Sequence, residues 1–268
     1  MKFFSILCFL FLGLQLSSCA ESYAATPPQA PFTQLVGTVS DDPALKDVEA
    51  RITTAFNQTF MQQKVTPLTD LRAEVAAVKG KEYVRLVAYW TAYIDYQTSI
   101  YYLKFQDKDK SAAAAERGIA TLESIKGKNA EELALQAYIR SFSIQFASGF
   151  GAARVSKKAG NEAEAALKLD PENLRANYVL GSLDFYTPAQ YGGGKKAEGY
   201  LTKAISLPPS KLDNPYLPTW GKDQAYELLI RHYQKAEQKT DADRLLKEAL
   251  AKYPNNYMLN SLAGQGKK

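Results

Sequence analysis

Cysteine is nearly absent from this chain: Cys8 and Cys19 are the only two in 268 residues. Everything after residue 19 therefore lacks a disulfide, a thiolate nucleophile and a cysteine-based metal site, so its stability must come from packing. Histidine is scarcer still. His232 stands alone between Arg231 and Tyr233, with no second histidine to share a metal and no Ser-Asp partner at helical spacing, so it reads as a surface or interface residue. Converging carboxylates are missing too, since Glu131-Glu132 and Asp41-Asp42 are adjacent pairs that point to different helix faces or sit at caps. These gaps leave no catalytic constellation, and neither enzyme activity nor a metal or cofactor is expected. Charge of one sign is also lacking. The 33 basic and 28 acidic residues give a formal net charge of +5 and are mixed along the chain. The densest basic run, Lys104 to Lys110, has an acid at every second or third position, which argues against a nucleic-acid face. Long apolar runs are absent as well: the longest, Phe3 to Leu16, covers about 14 positions, short of the roughly 20 that span a bilayer.

That run follows Met1-Lys2 and ends in Leu16-Ser17-Ser18-Cys19, the size and setting of a secretory signal. The small pair before the cysteine resembles the lipobox of bacterial lipoproteins. This resemblance implies that residues 1–18 are removed and that the Cys19 thiol is lipidated at the new N-terminus. The alternative is an ordinary signal cut near Ser22-Tyr23-Ala24, with Cys19 unused. Residues 19–39 hold Pro27, Pro28 and Pro31 among small and polar residues, a composition that stays extended and serves as a tether. A lipid anchor implies the bacterial cell envelope. Ala20 in place of aspartate is similar to outer-membrane sorting in enteric bacteria, which implies an outer-membrane anchor with the domain facing the periplasm, although the sequence leaves the choice of membrane open.

From Ser40-Asp41-Asp42-Pro43, a helix-entry sequence with capping residues and an early proline, apolar residues recur at helical spacing and no alternating β-branched run competes. The fold class is all-α. Near the C-terminus Tyr226, Leu229, Tyr233, Ala242, Leu246, Ala249 and Pro254 have the spacings of a 34-residue tetratricopeptide unit, with Ile230 where a small residue is usual. The helix-B phrase recurs as Ala159, Ala163, Ala166, Pro171 and as Ala197, Leu201, Ala204, Pro209. The chain thus resembles the tetratricopeptide repeats, which implies helical hairpins stacked in a right-handed superhelix over residues 81–265. Residues 40–80 form capping helices before them, because a terminal repeat needs one polar outer face. Lys81 to Phe105 and Ser111 to Lys126 read as a degenerate hairpin of the same kind.

Two loops break the regular pattern. Thr187-Pro-Ala-Gln-Tyr-Gly-Gly-Gly194 lengthens one turn inside a hairpin, and its glycines either simply build that turn or present free N–H groups to an anion beside Lys195 and Lys196. Leu207 to Gly221, with four prolines and the aromatic tips Tyr216 and Trp220, links two hairpins and should lie at the opposite edge.

Candidate binding residues come from two sources. Eight rings crowd residues 83–105, with Tyr89, Tyr93 and Tyr96 on one helix face. Packing explains most of them, and the other reading is a groove for an extended peptide or an apolar small molecule. The family resemblance implies a concave surface lined by fixed positions of each first helix, here Arg175, Tyr178, Ser182 and Phe185, then Gln224, Glu227, Arg231 and Gln234. This mixed set does not reproduce the Lys and Asn clamp by which some members hold a terminal carboxylate. The leading reading is a non-enzymatic, lipid-anchored scaffold that binds a protein or peptide in the envelope. A rival comes from the glycine turn, which resembles that of lipoprotein subunits associated with tripartite periplasmic transporters and implies a ligand-handling accessory. Oligomeric state is left open.

Overall fold

The computed structural model describes residues 42–209 and 214–265; the expected signal, the Cys19 lipidation site and the tether to residue 39 lie outside them. Among the described residues there are eleven α-helices and no strand. In chain order they are α1 (Val48–Gln62), α2 (Thr66–Ala77), α3 (Val84–Lys104), α4 (Lys108–Glu123), α5 (Ala130–Ser143) and α6 (Gly149–Leu169). They continue with α7 (Leu174–Tyr186), α8 (Ala197–Ser206), α9 (Lys222–Lys235), α10 (Lys239–Lys252) and α11 (Tyr257–Gln265). Consecutive helices pair as hairpins from α1/α2 to α9/α10, and α11 closes the end against α10. The first helices of successive hairpins also touch one another, as α5 does α7 and α7 does α9. They therefore form the inner layer of the superhelix, with the second helices outside.

The small residues of the repeat sit where the helices approach most closely. Ala159, Ala163 and Ala166 on α6, Ala197 and Ala204 on α8, and Ala242 and Ala249 on α10 are all buried. Gly181 on α7 faces Leu201 of α8 so closely that an added Cβ would lie 2.7 Å from its Cγ, which no side chain tolerates without separating the two helices. Helix starts follow the sequence: Asp107 accepts from the Lys110 amide, Asn173 from the Ala176 amide, and Asn129 with Glu132 forms a reciprocal capping box.

Charged ties link the layers in a way the repeat pattern does not announce. Asp95, fully buried in the aromatic α3, accepts from Arg72 of α2 at 2.8 Å and from Arg117 of α4 at 3.2 Å. Arg140 of α5 bridges Glu123 of α4 and Glu162 of α6, at 2.7 and 2.8 Å. The Glu131-Glu132 pair splits, Glu132 to Arg85 of α3 and Glu131 to Arg175 of α7. Each of these carboxylates thus meets a guanidinium, which desolvation requires.

Candidate functional site

The inner layer should expose a groove running across α1, α3, α5, α7 and α9, but one end of it is filled by the chain itself. Residues 214–221, the described part of the connection leading into α9, do not project as a loop with aromatic tips. They fold inward, so that Tyr216, Leu217 and Trp220 become buried core residues. Trp220 stacks on Tyr93 of α3 (ring centres 5.5 Å apart, planes at 19°) and on Tyr138 of α5 (4.9 Å, 22°). Its indole N–H donates to the Tyr89 hydroxyl at 3.0 Å, while the Trp90 indole donates to the Tyr216 carbonyl at 3.1 Å. Farther toward the N-terminus the Thr219 amide donates to Glu49 at 2.6 Å and the Asp47 amide to the Pro215 carbonyl at 3.1 Å. Rigid aromatic area plus a satisfied indole N–H makes a stable plug.

Arg175 belongs to the same plug. Only 3% exposed, it donates to the Pro209 and Trp220 carbonyls at 3.1 and 2.8 Å. It also pairs with Glu131 at 2.9 Å and lies over the Trp220 ring at 5.5 Å. Burial works against its charge, but the Glu131 carboxylate more than offsets this and holds the guanidinium above its ordinary range.

The predicted site residues therefore divide. Tyr89, Tyr93, Tyr96, Arg175 and Tyr178 are buried, with Tyr89 and Tyr93 under Trp220. The Tyr96 hydroxyl donates to that of Tyr138 at 2.7 Å, and burial pushes the Tyr89, Tyr93, Tyr96, Tyr138 and Tyr178 phenols well up, so all stay protonated. Ser182, Glu227 and Arg231 are half-buried and Gln234 is exposed. These four lie toward the hairpin-turn end of the inner face, where Phe142, Phe146 and the exposed Tyr186 were not singled out in the sequence. Position in the repeat selects Phe185 and stops one residue short of Tyr186. Arg231 pairs with Glu227 at 2.9 Å. Burial raises the Glu227 carboxyl and Arg231 opposes that rise, while the Tyr186 phenol, raised by burial, feels both charges. Phe185 meets the His232 ring at 6.3 Å and the Lys235 ammonium at 5.4 Å.

The glycine turn is already satisfied from within. Asp184 of α7 accepts from the Lys196 and Ala197 amides at 2.8 Å each, and the Gly194 amide donates to the Asp184 carbonyl at 2.8 Å. The start of α8 thus holds its own carboxylate where an anion would sit. Gly193 packs so tightly on Thr187 that an added Cβ would come within 1.9 Å of its carbonyl oxygen. Among the described residues, no group of three or more His, Cys, Asp or Glu side chains is placed to hold a metal.

No family model matches the chain, and no curated protein matches it. Among solved structures it is similar to the HusA haemophore from Porphyromonas gingivalis. The identity is 24%, the match covers 74% of this chain and 95% of that one, and the TM-score is 0.56. It is also similar to TTC0263, a thermophilic TPR protein of Thermus thermophilus, at 12% identity, with 80% and 97% of the two chains covered and a TM-score of 0.50. The fold is an all-α superhelix of helical hairpins, similar to that of tetratricopeptide proteins. At these identities the likeness speaks for the architecture alone.

Proposed function

We propose that the protein is a non-enzymatic scaffold that holds a protein or peptide partner at the bacterial cell envelope, through the part of its inner face that Trp220 leaves open. The observation that carries this reading is the division of the groove. The deep tyrosines are buried with ring and hydroxyl partners, while Ser182, Tyr186, Glu227, Arg231 and Gln234 keep solvent-facing polar groups beside apolar rings. That mixture of stiff aromatic area with an arginine is what protein-binding hot spots use.

A photo-crosslinking residue at position 186, introduced in cells, tests it. A discrete protein adduct is expected, and Arg231→Ala should weaken capture by about 30-fold, the loss of roughly 2 kcal/mol at which an arginine counts as a hot spot. Recovering only lipid or small molecules overturns the reading.

The location rests on Cys19 and its lipobox resemblance. Cys19→Ala is expected to release the protein from the membrane fraction without changing its helical circular dichroism. A variant that stays on the membrane to the same extent would remove the anchor from this account.

One observation favours a ligand-handling reading as second choice. The open end of the face carries the ring pair Phe142 and Phe146 at the end of α5 and Phe185, with Tyr186 and His232 beside it, farther along, a lining suited to a flat apolar ring system, and one similar structure is a haemophore. Titration of the full chain with haem tests it; an unshifted haem absorption band at micromolar protein rules it out.

A further inference from the structure

We propose that the edge of the superhelix formed by the hairpin turns docks on an anionic lipid surface. The inference goes beyond partner binding on the inner face and stands independently of it. Four of the five hairpins lift an apolar side chain into solvent at this edge: Met61 (84% exposed), Phe105 (44%), Phe150 (93%) and Tyr191 (76%). Each belongs to a turn or an adjoining helix end, so stacking sets them in a row. Neighbouring turns touch, as Phe60 stacks on Phe105 at 6.2 Å.

The row is made of separate tips and not of a continuous concave patch. Phe150 follows Gly149, which adopts φ +50° with open space where a Cβ would point, and Tyr191 precedes the equally open Gly192 at φ +88°. Isolated projecting rings have no complementary shape for a folded partner to match, but they suit a fluid interface, where aromatic side chains sit at headgroup depth.

Charge supplies the choice of lipid. Lys104, Arg154, Lys195 and Lys196 lie within a turn or so of the tips. Two of the nearby carboxylates are engaged internally, Asp107 by Lys110 at 2.7 Å and Asp184 by the α8 amides at 2.8 Å; Asp109, Glu237 and Glu198, which accepts from the Tyr233 hydroxyl at 3.1 Å, are exposed. Basic residues around apolar tips favour acidic headgroups over zwitterionic ones. Reach is no obstacle to an anchored chain. Residues 20–41 could extend about 75 Å, more than the roughly 30 Å length of the 21-residue α3.

The native tryptophans, Trp90 and Trp220, are buried, so Phe150→Trp places a reporter at the edge alone, in the full chain. With vesicles containing phosphatidylglycerol, its emission should shift to the blue and be quenched by brominated acyl chains. With phosphatidylcholine vesicles both effects should be weak. Adding Lys195→Glu and Lys196→Glu should lower the apparent partitioning by about tenfold or more. A reporter that stays solvent-like on anionic vesicles while the protein co-sediments, held by its N-terminus, overturns the proposal and leaves the edge to an acidic protein partner. Equal insertion into both vesicle types overturns the electrostatic part in the same way. Both readouts are indifferent to the crosslinking result at position 186.

Discussion

Replacing Trp220 by alanine is expected to lower the free energy of unfolding by about 3–5 kcal/mol, the range for removing a large buried aromatic. The indole is 4% exposed and is stacked between Tyr93 and Tyr138. Its loss leaves a cavity, takes the donor from the Tyr89 hydroxyl and removes the ring that Arg175 covers. Urea denaturation followed by circular dichroism measures it. Trp220→Phe keeps the stacking without the N–H, and should recover more than half of the loss. A Trp220→Ala protein within about 1 kcal/mol of the parent would mean that the loop merely rests on the groove.

Arg175→Ala should cost a similar amount, about 3–5 kcal/mol, for a different reason. It strands the Glu131 carboxylate, which the Asn173 amide group still reaches at 2.8 Å, and frees two loop carbonyls, that of Trp220 inside the fold and that of the exposed Pro209. A second variant separates charge from packing. Arg175→Met with Glu131→Leu removes both partners of the pair, and stability should return most of the way, because replacing a whole buried ion pair by apolar groups is often nearly neutral. If the double variant is as unstable as Arg175→Ala, the carbonyls of Pro209 and Trp220 are what the guanidinium chiefly serves.

Much of the architecture was legible because it depends on spacing. An alanine every three to seven residues with a terminal proline marks where helices must approach, and Ala163, Ala204 and Ala249 are all buried where the repeat placed them. The site was legible only in part, since the same spacing does not say what covers the inner face. Periodicity gave Tyr89 and Tyr93 their shared face; it could not reveal that Trp220, over 120 residues later, lies on them. A signal did exist. A loop with four prolines and two large aromatics, Tyr216 and Trp220, is rigid and apolar at once, and such a segment is stable when folded onto a surface. Asp95 carried a similar hint as the sole acid in the 21 residues of α3, where an unpaired charge would be costly.

The inward fold of that loop also changes how the molecule comes apart. Repeat stacks with contacts only between neighbours fray from their ends and fold in any order. Here Trp90 with Tyr216, Tyr89 with Trp220, and Glu49 with Thr219 join partners 126, 131 and 170 residues apart. The first hairpin cannot loosen without breaking contacts to this loop. The first two hairpins are therefore coupled to the segment before α9, and folding must wait for a closure between distant segments, which gives this all-helical chain the slower pace of a higher contact order.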